Sequence, residues 1–230
     1  MISDAEMVKA GIDSVLAPVR DTLNRLLGPL ADELGGVLAD PVRVFRFKRS
    51  VRLLEKVKRI AEEAGFEPRA VPLKTLLPIL ENASLEEDED LHDRWANLLA
   101  RAADPRADAI PPSLPRILSE MSSREARFLD RLHSYLSEMK RVSPETLPLM
   151  LTKPMHRGEL FDQYIKDSEF DPDAFNVDVD SLLRFRLLSV EAAPIDAEAI
   201  RHNEPLAEDD IYRLTSLGLL FVTACKAKES

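Results

Sequence analysis

Apolar residues recur at intervals of three and four along most of the chain, and glycine-rich stretches are absent. That period predicts a mostly helical protein. From Leu23, residues Leu26, Leu27, Leu30, Leu34, Val37 and Leu38 form one stripe, with a new helix expected at Pro29 because proline suits a first helical turn. Ala31, Gly35 and Ala39 repeat every fourth position within it, a ridge that fits close packing inside the domain, with a membrane-facing or oligomer-forming surface as the alternative. Asp40-Pro41 predicts a capped helix start and Gly65 a stop. Between them Val44, Phe47, Val51, Leu54, Val57 and Ala61 step by three or four.

The stretch SLEEDEDLHDRWANLLARAADP, residues 84–105, sets five consecutive acids ahead of the only tryptophan. Ser84 and Glu87 have capping-box spacing, which would place Glu86, Glu87, Asp88, Glu89 and Asp90 in the first turns of a helix, where the dipole favours negative charge. Leu91, Trp95, Leu98 and Ala102 then share one face, so Trp95 is expected to be a buried anchor, and Asp104-Pro105 to end the helix.

The proline-rich PRADAIPPSLP (105–115) predicts a joint between a helical domain, 1–112, and a second domain, 113–230. A second capping box, Ser122 to Glu125, opens a helix with Ala126, Leu129, Leu132, Leu136 and Met139 inward. Shorter helices are expected around 144–152 and 157–166, and a further helix over 176–188. Strand LLSVE, a polar loop, strand IYRLT and a final helix SLGLLFVTACKAK follow. The order is the layout of a winged helix. The expected fold is therefore mostly α, an N-terminal helical domain plus a C-terminal winged-helix-like α+β module.

Composition and charge narrow the function classes. With 230 residues and 45% hydrophobic content, the chain has enough apolar material for a core without disulfides. Cys225 stands alone, so neither an internal disulfide nor a cysteine-based zinc site is expected. The opening MISDAEMVKAGIDS has no basic stretch followed by an apolar one, so no secretory signal is expected. The longest stretch free of charge, Leu214 to Cys225, is twelve residues, short of the roughly 20 a spanning helix needs. These features predict a cytoplasmic protein, with peripheral contact at the inner membrane as one option. The net charge of −10 is spread over both halves and opposes binding to a polyanion, so nucleic acid is an unfavoured partner. In the winged-helix-like module the helix before the first strand begins with Asp178 and Asp180 and offers only Arg184 and Arg186, a poor match to a phosphate-facing surface.

The exception is the helix after Pro41. It carries Arg43, Arg46, Lys48, Arg49, Arg52, Lys56, Lys58 and Arg59, opposed only by Glu55. A basic face of this kind attracts an acidic surface, whether a partner protein, a second copy of the chain, or anionic headgroups. The competing expectation is a solvated face that pairs with acids of the same protein, Glu86 to Asp90 being the natural candidates. The candidate interaction surface comprises Arg46, Lys48, Arg49, Arg52, Lys56 and Arg59 with Glu86, Glu87, Asp88, Glu89 and Asp90.

Catalytic signatures are sparse. His92, His133, His156 and His202 form no HExxH pair, and no phosphate-binding glycine loop occurs. Adjacent carboxylates point in different directions round a helix and suit a metal ion poorly, so no metal or cofactor is expected, and no small-molecule substrate is evident. Arg127 and His133, with five residues between them, resemble the R-x(4 to 6)-H motif of all-helical HEPN ribonucleases, in which arginine holds a phosphate and histidine moves a proton. Phe128 departs from the polar residue usual after the arginine, so catalysis through this pair is not expected.

The whole sequence resembles the bacterial abortive-infection alpha family, through GPLADELGGVLADPVRVFRFKR (28–49), LLPILENASLEEDEDLHDRWANLLARAADP (76–105) and YRLTSLGLLFVTAC (212–225). Residues 140–210 are the least family-like. The resemblance implies a role in defence against phage, in which an infected cell stops growing or dies before the phage matures. It carries over no catalytic residue. A protein acting through protein or membrane-surface contact is expected, the alternative being a nucleic-acid-directed effector, either a HEPN-like ribonuclease or a DNA-binding winged-helix regulator.

Overall fold

A computed structural model describes residues 17, 19–27, 41–142, 154–167, 172–192 and 210–226. The expected helix from Pro29, the ridge at Ala31, Gly35 and Ala39, and the expected helix at 144–152 lie outside these residues. The chain divides into two compact units, one comprising Met1–Met121 with Ala224–Ser230 and the other Ser122–Thr223. The described residues are mostly helical, with one small three-stranded antiparallel sheet.

The first unit contains α1 (Arg20–Leu27), α2 (Pro41–Ala64), α3 (Leu73–Ala83), α4 (Glu89–Ala103) and α5 (Ser113–Ser119). α2 spans the interval its punctuation predicts. Gly65 ends it at φ +66, the left-handed conformation that glycine adopts without a Cβ penalty. Its N–H donates to the Glu62 carbonyl at 3.1 Å and that of Phe66 to Ala61 at 3.0 Å. This is the paired closure that satisfies the last carbonyls of a helix.

α4 is the centre of the unit. α2, α3 and α5 all pack on it, and Trp95 is fully buried with Leu98 and Leu99. Leu53, Leu54 and Val57 of α2, Leu76 and Ile79 of α3, and Leu114 and Leu118 of α5 are buried as well.

The start of α4 differs from expectation. Ser84 does not cap it; Ser84 closes α3, its N–H bonded to Leu80 and its hydroxyl donating to the Glu81 carbonyl at 2.6 Å. The helix begins at Glu89 with Asp88 as its cap, Asp88 Oδ1 accepting from Leu91 N–H at 3.0 Å. A serine already used by the preceding helix has no lone pair aimed at the next one, and an aspartate four residues on serves equally well.

The second unit contains α6 (Ser123–Val142), β1 (Met155–His156), α7 (Arg157–Tyr164) with a 3-10 turn at Ile165–Asp167, α8 (Pro172–Arg184), β2 (Leu188–Glu191), β3 (Ile211–Leu214) and all but the last two residues of α9 (Ser216–Cys225). The capping box at its start forms as predicted: Glu125 Oε2 accepts from Ser122 N–H at 2.6 Å, and Ser122 Oγ accepts from Glu125 N–H at 3.2 Å. Ala126, Leu129, Leu132 and Leu136 are buried.

The sheet order is β1-β3-β2, with Met155 and Val190 both opposite Tyr212. β1 is absent from the expectation because two residues have no alternation to read. Phe128, Tyr164 and Phe175 meet edge to face, with centroids 5.1 to 6.4 Å apart. Asp178, expected on the surface of α8, is instead buried and takes two bonds from Arg124, at 2.5 and 2.8 Å, and one from the Tyr164 hydroxyl at 2.9 Å.

The turn after α8 closes on Arg186, a non-glycine residue at φ +59. Its N–H donates to Leu183 and that of Leu187 to Leu182, both at 2.9 Å, the same closure that Gly65 makes. The next contact is unusually close: a Cβ on Gly218 would lie 2.3 Å from the Leu187 carbonyl oxygen and 2.8 Å from Leu214 Cδ1.

Two stability changes follow. Gly218→Ala must push backbone away from backbone, so urea unfolding is expected to show a loss of about 2 to 3 kcal/mol or more. Trp95→Ala removes the largest buried side chain of α4 and is expected to cost about 3 to 5 kcal/mol in the same measurement.

Candidate functional site

α2 and α4 run side by side in the same direction. Their contacts rise together: Arg49 meets Glu89, Lys56 meets Asp93, and Arg106 beyond α4 reaches the Ala64 carbonyl at 3.2 Å, while Arg46 Nε donates at 3.0 Å to Ser84 Oγ, at the end of α3. Residues spaced by three and four on α2 therefore meet residues with the same spacing on α4.

Glu89 is the hub of this edge. Arg49 Nη1 and Arg52 Nη1 reach its Oε1 at 2.5 and 2.9 Å, and Lys56 Nζ reaches its Oε2 at 3.3 Å. The Arg49 hydrogen bond, with help from Lys56 and Arg52, holds the Glu89 carboxyl down at about 2. Lys56 is only 11% exposed, and it also binds Asp93 at 2.5 Å and His92 Nδ1 at 3.0 Å.

His92 is fully buried, its Nε2 lying 3.3 Å from the Arg49 carbonyl. An ammonium has no lone pair, so Nδ1 must accept from Lys56, and the hydrogen sits on Nε2 and is donated to Arg49. The ring is thereby fixed in its neutral form. Burial, and then the nearby Lys56 charge, push its pKa below the ordinary 6.5.

The remaining candidates divide. Glu86 Oε1 accepts from Asp88 N–H, the Glu87 carbonyl accepts from Arg49, and Asp90 pairs with the buried Arg94 on its own helix. Lys48 is exposed, and Arg59 reaches Glu63 on α2 itself, at 3.9 Å. The structure thus joins Arg49, Arg52 and Lys56 to Glu89, seats Arg46 on Ser84, and leaves Lys48 and Arg59 outside the cluster. Sequence reasoning missed His92 and Asp93. The signal was present, since positions 89, 92 and 93 share a helical face distinct from that of Leu91, Trp95 and Leu98.

Elsewhere the chemistry is thin. Arg127 is exposed, Phe128 fully buried and His133 half-buried; six residues along a helix leave the two side chains about 120° apart, on different faces. Among the described residues no group of three His, Cys, Asp or Glu side chains is arranged to hold a metal ion, and no helix is long and apolar enough to cross a membrane.

The architecture is that of a mostly helical protein with a small antiparallel sheet, whose most concentrated surface chemistry is an ion-paired helix edge. A family model described as Abortive infection alpha matches residues 48–225; the chain belongs to the abortive infection alpha family. The family's description points to a role in abortive infection. No curated protein and no solved structure matches the chain.

The α2–α4 edge makes a pH prediction. A histidine whose pKa is lowered on folding stabilises the protein fully above its unfolded value, and that stability is lost as pH falls through the folded value. Glu89 stays charged down to about pH 2, so the window of loosening that opens as pH falls below the ordinary histidine value of 6.5 belongs to His92. Thermal melts are expected to fall across that window, and His92→Gln to flatten the fall.

Proposed function

We propose that the protein acts in abortive infection as a non-enzymatic interaction protein, and that the α2–α4 edge is where it engages an acidic surface on a partner. One observation carries this reading: three cations of α2 share a single carboxylate, Glu89, that is itself 49% exposed. The exposed ion pairs contribute only about 0 to 1 kcal/mol each. A partner carboxylate can therefore replace Glu89 on Arg52 at little cost, while Lys48 and Arg59, outside the cluster, extend the cationic edge. An acidic protein is the leading partner, with anionic headgroups as the other acidic surface of the right chemistry; the place of action is the cytoplasm.

For the second unit, the succession α8, β2, β3, α9 with a three-stranded antiparallel sheet supports a winged-helix-like module. Burial of Asp178 against Arg124 removes one acid from the exposed side of α8. Asp173 and Asp180 remain exposed beside Arg184 and Arg186, and this mixture favours protein packing over a phosphate backbone.

The test uses the outward cations. Arg49 and Lys56 are 12% and 11% exposed, so reversing them would damage the fold and the surface together. Lys48→Glu, Arg52→Glu and Arg59→Glu combined are expected to keep the melting temperature within a few degrees of wild type, since exposed charges contribute little. Protection of cells in a plaque assay is expected to be lost. A folded triple variant that protects fully would remove the edge from the function.

A further inference from the structure

α3 has a second apolar face. Thr75, Leu76, Ile79 and Ala83 are buried, whereas Leu73 is 39% and Leu77 42% exposed, and Leu80 is half-buried. These three leucines follow the i, i+4, i+7 spacing of a single helical stripe. Single surface leucines are ordinary, but a row of them along one helix is a surface suited to another apolar surface.

The charges beside the stripe say which one. Lys74 and Glu81 are both exposed, and neither has an ion-pair partner among the described residues. They stand two turns apart, roughly 10 Å along the axis, too far to pair with each other. The order is cation, Leu77, anion, and it reverses sign about Leu77-Pro78.

We propose that α3 is a homodimer interface, with a two-fold axis at Leu77-Pro78 that lays the helix antiparallel on its copy. In that arrangement Lys74 faces Glu81 of the partner subunit, Glu81 faces Lys74 of the partner subunit, and the two Leu77 side chains meet at the axis. A two-fold interface must be complementary to itself, and this stripe is. A partner of uniform charge would oppose one of the two groups. An anionic lipid surface would attract Lys74 and repel Glu81. The inference is independent of the α2–α4 edge and stands whether or not that edge binds a partner.

Sedimentation equilibrium on the full chain tests it. The wild type is expected at twice the 25.9 kDa chain mass, and Leu77→Glu at the single mass. Lys74→Glu and Glu81→Lys each create two like-charge contacts across the axis, so each is expected to weaken the dimer about tenfold or more. The double variant K74E/E81K exchanges the signs and is expected to return the wild-type dissociation constant. Circular dichroism checks that the variants remain folded; should Leu77→Glu unfold, the charge series carries the test alone. A wild type that is monomeric at about 100 μM, a corresponding free energy of association near −5 kcal/mol or weaker, overturns the proposal. So does a dimer indifferent to the single reversals, or a double variant that fails to recover.

Discussion

The first unit depends on the register between two helices that point the same way. Parallel neighbours set like ends of their dipoles together, an arrangement that does not stabilise itself. Apolar ridges define a crossing angle more firmly than a position along the axis. The charged edge supplies that position at successive levels, Arg49 on Glu89 and Lys56 on Asp93. Because α3 and α5 pack on α4, and α4 holds Trp95, the placement of α4 against α2 locates the whole apolar interior. Lys56 is the strictest part, with three partners and little water; such networks count for more than their separate pairs.

The second unit is tied differently. Asp178 of α8 is buried and bonded to Arg124 of α6 and the Tyr164 hydroxyl of α7, beside the packed rings of Phe128, Tyr164 and Phe175. Asp178 is 2% exposed and Arg124 44%, so it is loss of Arg124 that leaves a buried carboxylate short of donors. One unit therefore has an ion-paired edge whose shared carboxylate is half open to the outside, and the other an ion pair whose carboxylate is buried.

Local punctuation carried most of what was legible in the sequence. Pro41 and Gly65 bound α2, and Ser122 with Glu125 opens α6, because a cap is decided within four residues. Trp95 was legible from its spacing with Leu91 and Leu98, and the attraction between the basic helix and the acid run from sign alone. Non-local competition hid the rest. Ser84 matched a capping box but was already bound by α3 and Arg46. Asp178 read as a surface acid because its partner Arg124 lies 54 residues away. His92 looked idle, since nothing in its neighbourhood along the chain shows that a lysine from α2 arrives at one nitrogen and a carbonyl at the other.

The turn at Arg186 has a consequence for the unfolded chain. A side chain in the left-handed region costs roughly 1 to 2 kcal/mol that glycine avoids, yet arginine explores far fewer backbone states than glycine when the chain is loose. Part of the native strain is thus offset before folding begins, in the narrower ensemble from which β2 must start. Gly65 closes α2 with the same two bonds by the opposite route, without strain when folded and with more freedom to surrender. The two helix ends reach one geometry from opposite sides of the folding equilibrium.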